Sequence, residues 1–336
     1  MKILLIGFGS IGKRHLGNLF LSGYKDIDVV TRNALLPEPY EELKLYSSLQ
    51  NALANSTYDT AIICTPTAQH TTAILQLLQA QVYRIYIEKP VSHSLADLEL
   101  ALSLSASYPN KIVVGFDLHF DLGLQKVREL LFEQTIGKII SINAQVGQYL
   151  PDWRPAEDYR QGMSAKRETG GGVMLDLVHE FDYVTWLAGP VKTIAALYKN
   201  SGSLQIETED IAEVLLQFES GAIGTIHLDY LQPALVRNCL INGAEGTIKW
   251  NLAENTVEWG NHEKEFFSYS YAGFERNERF VQIMKSFLQD EADERLTNIQ
   301  DGIESLKLVV AAKQSCDTQQ FVSISDLKFL TKLNNL

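Results

Sequence analysis

Gly7-Phe8-Gly9-Ser10-Ile11-Gly12 has the spacing G-x-G-x-x-G, directly after the apolar run Lys2 to Ile6 and at the head of a helical stretch. In that place the spacing has a mechanism. The first glycine permits a tight turn, the second lets backbone N–H groups approach a pyrophosphate, and the third lets the helix pack on the strand. The helix N-terminus adds a field that favours the anion. Gly7, Gly9, Ser10, Ile11 and Gly12 are therefore candidate phosphate-binding residues of a dinucleotide site. An ordinary glycine-rich turn is the alternative, and it does not account for the complete fingerprint in a strand–helix setting. A ribose-binding acid usually follows about 20 residues on. Here the place reads Val29-Val30-Thr31-Arg32-Asn33, without one. Arg32 can pair with a 2′-phosphate and the Thr31 hydroxyl can donate to it. The reading favours NADP, with NAD as the alternative and stacking of Arg32 over the adenine as a competing role.

Lys89 lies in Glu88-Lys89-Pro90, just after the strand Tyr83 to Ile87. Ligands of open parallel sheets bind at such carboxyl ends. An ammonium there could steady a hydroxyl as it becomes a carbonyl, and Pro90 can take a cis bond. The competing role for Lys89 is a surface lysine paired with Glu88. Thr65-Pro66-Thr67 and His70 follow the preceding strand and point to the same edge, with helix capping or packing as the alternative for His70. Further on, Gly170-Gly171-Gly172 opens a helical stretch that carries Asp176, His179, Glu180 and Asp182 and closes at Gly189-Pro190. On one helix, positions 176, 179 and 180 share a face. A carboxylate there can orient an imidazole that takes the substrate proton, and the glycines would let a substrate approach the backbone. An Asp and a His on a helix also occur as a plain surface pair. Arg154, Tyr159, Arg160 and Lys166 lie between a strand and that triplet, among Trp153 and other polar residues. Arginine forks suit phosphate or carboxylate and aromatics can stack on a sugar or nucleobase, whereas the same residue types also pack seams and subunit contacts.

These residues need a frame, and the chain is long enough to supply one. Its 336 residues suggest two domains, at about 150 residues per domain. The formal net charge of −12 makes nucleic acid an unexpected partner, and 46% apolar with 21% charged residues is a globular balance. The apolar runs fall short of a bilayer span and the start shows no cleavage site, which predicts a cytoplasmic protein that does not engage a membrane. Cys64, Cys239 and Cys316 form no C-x-x-C pair, so neither a disulfide framework nor a metal site is expected, and buried thiols are.

Up to residue 119, apolar runs alternate with helices, the rhythm of a parallel sheet. Strands are expected at Lys2 to Ile6, Ile27 to Thr31, Thr60 to Cys64, Tyr83 to Ile87 and Lys111 to Gly115, and a helix from Ser94. From 120 to 336, strands follow closely at Lys138 to Val146, Thr193 to Tyr198, Ala212 to Phe218, Ile223 to Tyr230 and Arg237 to Ile241, with a hairpin signal at Glu219-Ser220-Gly221. Such short links favour antiparallel pairing. Helices at Val173 to Ala188, Asn277 to Gln289 and Asp301 to Ser315 would cover one face. The C-terminal segment could pack back on the first domain.

Taken together, Gly7 to Gly12 with Lys13-Arg14-His15, Thr65-Pro66-Thr67 with His70, Glu88-Lys89-Pro90, and Gly170-Gly171-Gly172 with Asp176, His179 and Asp182 resemble the glucose-fructose oxidoreductase / inositol dehydrogenase / MocA (Gfo/Idh/MocA) family. The resemblance implies an α/β Rossmann domain joined to an α+β domain with an open, mainly antiparallel sheet. It also implies assembly as a homodimer or homotetramer through that sheet, and NAD(P)-dependent redox chemistry on sugars or polyols. By it, Lys89 is the catalytic-centre lysine, His179 the general acid/base and Asp176 its partner, while Glu88 and Lys89 join Thr65, Pro66 and His70 at the cofactor. Two departures stand out. Asp176 and His179 are three apart where the family has four. Phe116-Asp117-Leu118-His119 stands where many members carry Tyr-Asn-x-Arg, so His119 takes the place of a substrate-facing arginine.

The substrate reading is a sugar, in particular a nucleotide-activated or acidic sugar of surface polysaccharide synthesis, with oxidation and reduction both open. The rival reading is a catalytically silent, NADP-responsive regulatory protein, supported by the altered spacing in the helix.

Overall fold

Four-residue runs that are apolar on every side cannot stay at a surface, and here they become covered parallel strands. The structure, a computed structural model, describes residues 1–327. In chain order the first elements are β1 (Ile3–Ile6), α1 (Ser10–Leu21), β2 (Ile27–Val30), β3 (Leu45–Tyr46), α2 (Leu49–Asn55), β4 (Thr60–Ile63), α3 (His70–Gln79), β5 (Arg84–Ile87), α4 (Leu98–Ser105) and β6 (Lys111–Val114). There follow α5 (Leu122–Phe132), β7 (Ile139–Gly147), α6 (Val173–Asp176), α7 (His179–Ala188), β8 (Val191–Lys199), β9 (Ile211–Phe218) and β10 (Ile223–Asp229). The last are β11 (Val236–Gly243), β12 (Gly246–Asn251), β13 (Thr256–Asn261), β14 (Phe266–Ser270), α8 (Arg276–Leu288), β15 (Thr297–Asn298), α9 (Ile299–Thr318) and β16 (Val322–Ser323).

Two units emerge among the described residues: Met1–Phe116 with Phe280–Ile303, and Asp117–Arg279 with the residues from Glu304. The first thus ends at Phe116, where the sequence placed a boundary at 119. It also takes in Phe280–Ile303. Pairing explains this return: Thr297 and Asn298 of β15 join Val114 and Val113 of β6, and Lys111 Nζ donates to the carbonyls of Ser286 and Gln289. The expectation that Asn277 to Gln289 covers the second sheet is corrected accordingly, because from Phe280 that helix belongs to the first unit. The segment beyond Leu327, expected to pack back on the first domain, lies outside the described residues.

The first unit carries a sheet of order β15-β6-β5-β4-β1-β2-β3, parallel except for β15. β1 pairs with β2 on one side and β4 on the other, so the strand order reverses around it, and ligands of such sheets bind at that switch point. The carboxyl ends of β1, β2, β4 and β5 deliver Gly7, Thr31, Thr65 and Glu88 to one edge. The helix expected from Ser94 starts only at Leu98, with Asp97 in a left-handed conformation (φ 62°) and making no side-chain cap. Asp97 therefore turns the chain instead of capping the helix.

The second unit is built on a nine-stranded sheet of order β14-β13-β12-β11-β7-β10-β9-β8-β16. Every pairing is antiparallel except β10 with β7, which run parallel. Alternation sets the faces: Ala212, Val214, Leu216 and Phe218 of β9 and Ile226 and Leu228 of β10 are buried, with α7 against β7 and α5 against β12. The other face exposes Leu197, Leu215, Ile223 and Leu240. The β9–β10 hairpin closes where expected, on Gly221 at φ 87°. The continuous helix expected from Val173 to Ala188 is instead two, interrupted at Leu177 (φ −100°, ψ 32°) and Val178.

Cys64 and Cys239 are buried free thiols, whereas Cys316 is partly exposed. Among the described residues no helix is long and apolar enough to cross a membrane.

Candidate active site

The loop after β1 is shaped by what its glycines exclude. Gly7 has φ 100°, and a side chain at Gly12 would place its Cβ 2.1 Å from the Gly7 carbonyl oxygen, so the helix meets the loop only without one. A Cβ at Gly9 would instead meet nothing within 4 Å. Gly9 is also the N-cap of α1 and makes no side-chain cap bond. Open space next to uncapped first-turn N–H groups fits the pyrophosphate of a dinucleotide, which Gly9, Ser10 and Ile11 would hold through their backbone. At the end of β2, Thr31 Oγ1 accepts from the Asn33 N–H at 3.1 Å and Arg32 is exposed. The Thr31 oxygen closes the turn and keeps its proton to donate.

The lysine loop is held on both flanks. His15 Nε2 donates to Glu88 Oε1 at 2.6 Å with the imidazole fully buried, tying the end of β5 to α1. The His70 ring nitrogens lie 2.9 Å from the Pro90 carbonyl oxygen and 3.0 Å from that of Thr65. Burial pushes the His70 imidazole below its ordinary pKa, against the pull of those carbonyls. His70 thus joins the Thr65-Pro66 turn to the lysine loop, and its ring is spent on that connection. The Lys89–Pro90 bond is cis. Lys89 is partly exposed between these two anchored neighbours.

In the second unit the glycine triplet meets protein atoms. A Cβ at Gly172, where φ is 118°, would come within 2.4 Å of a Glu209 carboxylate oxygen, and one at Gly171 within 2.3 Å of the Met163 carbonyl. The close approach expected of a substrate is taken by the chain itself. Beyond the break at Leu177, His179 begins α7 and is buried. Its Nε2 lies 3.3 Å from Asp117 Oδ1, and Asp117 Oδ2 is 2.9 Å from Arg279 Nε. Burial alone would raise the Asp117 pKa, but the Arg279 guanidinium and the His179 contact hold the carboxyl far below the usual range. Asp176, expected beside His179, accepts from the buried Tyr230 hydroxyl at 2.6 Å. That phenol is pushed well above its usual pKa by burial first and by the Asp176 charge second. Glu180 forms a two-pronged ion pair with Arg237 at 2.8 and 3.1 Å.

His119 is 4% exposed; it stacks on Trp186 at 4.1 Å and sets Nε2 2.8 Å from Asp182 Oδ2. The other expected substrate residues separate into two kinds. Arg154 and Tyr159 line one small concavity with Leu150, Trp153 and Glu157. Tyr159 also donates its hydroxyl to the Leu204 carbonyl at 3.1 Å. Arg160 is engaged by Asp158 through two hydrogen bonds of 2.9 and 3.1 Å, and Lys166 donates to Gln161 at 3.1 Å. The exposed Arg160 and Asp158 each favour the other's charged form.

Residues 1–116 match the oxidoreductase family with an NAD-binding Rossmann fold, Gfo/Idh/MocA, and residues 124–249 match the Gfo/Idh/MocA C-terminal domain. The chain belongs to the Gfo/Idh/MocA family. It is 27% identical to a myo-inositol 2-dehydrogenase of Thermotoga maritima over 97% of this chain and 99% of that one. It is 25% identical to an inositol 2-dehydrogenase of Rhizobium meliloti over 96% and 98%. Its fold is similar to that of the WlbA dehydrogenase from Bordetella pertussis, solved in complex with NADH and UDP-GlcNAcA, with a TM-score of 0.78, 22% identity and coverage of 96% and 98%.

As a Gfo/Idh/MocA chain this one has residues at its site that sequence reasoning missed. Asp117 and Arg279 were not singled out, nor was the pairing of His15 with Glu88. The signal for Asp117 was present: it lies two positions before His119, in the stretch Phe116-Asp117-Leu118-His119 that departs from the pattern the resemblance implies. Arg279 had none, because it lies 162 positions from Asp117 in a helix whose periodicity speaks only of packing.

Proposed function

We propose that this chain transfers hydride between a nicotinamide dinucleotide and a hydroxyl-bearing or carbonyl carbon of a sugar. The observation that carries this reading is the cradle at Gly7–Gly12, crowded where the helix meets the turn and open only beside Gly9. The bound dinucleotide supplies the hydride acceptor or donor. The residues of the chain do the rest. Gly9, Ser10 and Ile11 hold the pyrophosphate through backbone N–H groups. Lys89 steadies the negative charge that develops on the substrate oxygen, and its neighbours Glu88 and Pro90 are held by His15 and His70. His179 takes the hydroxyl proton in oxidation and returns it in reduction.

NADP is the proposed cofactor, on the strength of Arg32 and Thr31 and the missing acid at the end of β2. Nucleotide-activated or acidic sugars are the proposed substrates. Arg154 beside Trp153 and Tyr159 offers a cation and aromatic faces on one concavity, and the WlbA relative was solved with UDP-GlcNAcA. Self-association through the face bearing Leu197, Leu215, Ile223 and Leu240 completes the proposal, with light scattering as its check.

The test is nicotinamide absorbance near neutral pH with a panel of sugars, polyols and nucleotide sugars, in the wild type and in His179→Ala. Turnover in the wild type and none in the variant, with dinucleotide binding retained in both, is the expected result. Tight dinucleotide binding without turnover of any member of a broad panel would favour a silent regulatory protein.

A further inference from the structure

We propose that the edge of the second sheet at β14 pairs antiparallel with β14 of a second copy of this chain, about a two-fold axis at Ser268. Among the described residues β14 ends the sheet and is hydrogen-bonded to β13 alone. The ladder fixes which backbone groups that bond uses. Asn261 N–H donates to the Glu265 carbonyl at 3.2 Å and Tyr271 N–H to the Asn255 carbonyl at 3.0 Å, so Glu265, Phe267, Tyr269 and Tyr271 turn their N–H and C=O groups toward β13. Phe266, Ser268 and Ser270 turn theirs outward, and none of the three has a backbone partner among the described residues. What satisfies such a row of donors and acceptors is another strand.

Chains usually blunt an open edge with a proline, a charge or a bulge. Phe266-Phe267-Ser268-Tyr269-Ser270 contains no Pro, Asp, Glu, Lys or Arg, and its register with β13 is unbroken. The strand is also apolar where it is most open. Phe266 is 78% exposed and lies over Gly260, where a Cβ would come within 2.6 Å of the ring, while Phe267 is 51% exposed and stacks on Trp259 at 5.6 Å. The registers place Leu240 beside Lys249, Lys249 beside Glu258 and Glu258 beside Ser268, so Phe266 shares a face with Leu240. The exposed apolar face thus reaches the edge.

The strand is its own best complement. With Ser268 opposite the partner's Ser268, Phe266 falls opposite the partner's Ser270, so the outward groups of all three residues meet in hydrogen-bonded pairs. On the other face Phe267 falls opposite the partner's Tyr269, a favourable aromatic pair across the ladder. Charge agrees. The chain carries −12, so two copies repel over most of their surfaces, yet here the nearest acid, Glu265, falls opposite the partner's Tyr271 and not opposite another charge. Five residues a side fall well short of the roughly 20 to 30 of a standard interface, which makes the contact weak and reversible. It is separate from the association proposed for the open face and doubles whatever unit that face makes.

Sedimentation velocity on the full chain, over a concentration series up to about 1 mM, tests the pairing, since even a dissociation constant of that size pairs half of the chains there. The wild-type mass is expected to rise twofold along the series and that of Ser268→Pro to stay at the lower value. This proline removes an outward N–H and no bond to β13, a change that edge strands tolerate. Phe266→Lys leaves the backbone unaltered, sets a charge on the edge and should act in the same way, with thermal melts showing that both variants are folded. In a Cys316→Ser background, Ser268→Cys is expected to link into a covalent dimer under mild oxidation. Ser270→Cys is expected not to, because this register holds it about 14 Å from its own copy. A mass that doubles equally in the wild type and both variants would overturn the edge pairing and leave the open-face association standing, and so would equal linking at positions 268 and 270. A wild type of constant mass whose Ser268→Cys form does not link overturns the edge pairing whatever the open face does.

Discussion

His15 and Glu88, 73 residues apart, meet at 2.6 Å in the interior of the first unit. The contact joins the helix behind the glycine loop to the residue just before Lys89, and His70 braces the residue just after it through the Pro90 carbonyl. A side chain as free as lysine gains precision when the backbone on either side cannot shift. Glu88→Gln keeps the shape and turns a charge-assisted bond into a neutral one. The expected cost is about 1–2 kcal/mol of stability, with kcat lowered as well. Urea denaturation and steady-state kinetics check it, and an unchanged denaturation midpoint would show that the pair does not hold the loop.

Two glycines of the same loop should respond differently to alanine. Gly12→Ala drives a Cβ to within 2.1 Å of the Gly7 carbonyl oxygen, so helix and turn must separate and both stability and dinucleotide binding should fall. Gly9→Ala meets no protein atom within 4 Å, and at φ −76° the backbone suits an L-residue. It should fold within about 0.5 kcal/mol of the wild type yet bind dinucleotide about tenfold more weakly or worse, because its methyl group occupies the pyrophosphate's approach. Calorimetric titration with a thermal melt separates the two effects. Normal affinity in Gly9→Ala would place the pyrophosphate elsewhere.

Asp121 gathers the interior of the second unit. Fully buried, it caps α5 through the N–H groups of Gly123 and Leu124 and accepts from Trp250 Nε1 and the Tyr271 hydroxyl, each at 3.1 Å. Arg279 Nη1 stands 3.3 Å from its other oxygen. Asp121→Ala takes the acceptor away from all of these donors at once and leaves part of the Arg279 charge uncompensated. The expected loss is about 3–5 kcal/mol, a large part of a typical domain's stability. A melting temperature within a degree or two of the wild type would contradict it.

The strands of both sheets were readable where burial is uniform or strictly alternating. Ile3–Ile6, Thr60–Ile63 and Ile211–Phe218 lie within a residue of where their apolar pattern puts them. Strands β12 to β14 were not read: in β12 exposed Thr247 and Lys249 alternate with buried Ile248 and Trp250, a pattern that was there to read and was passed over, whereas every residue of β14 is at least partly exposed and carries no such pattern. The two-residue strands β3, β15 and β16 are held by neighbours far away in sequence, and two residues carry no period. At the site, the glycine loop and the lysine loop could be read because each is a local motif. The partners were hidden because they are tertiary: Asp117 for His179, Tyr230 for Asp176 and His15 for Glu88 are separated by 62, 54 and 73 residues. The helix break also followed from tertiary structure, because an unbroken pattern from Val173 to Ala188 gives no sign of where the chain must turn to seat the ring.

A last prediction concerns pH. His227 on β10 is bridged by Glu213 Oε1 at 2.6 Å and Asp229 Oδ2 at 2.8 Å. The bond to Asp229 is the main reason its pKa is pushed up to about 9, with Glu213 adding to the effect and burial opposing it. Because the folded value lies above the unfolded value of about 6.5, the protonated imidazole stabilises the folded chain fully below pH 6.5 or so. That contribution declines as pH rises and is gone beyond about 9. Glu213 is largely exposed, and solvent screening holds the whole contribution to about 1 kcal/mol. His227→Gln should therefore be less stable than the wild type at pH 6 and close to equal at pH 9.5. Urea denaturation of the two proteins at both pH values measures the difference, and a gap that stays constant or widens with pH would show that the bridged imidazole is not charged.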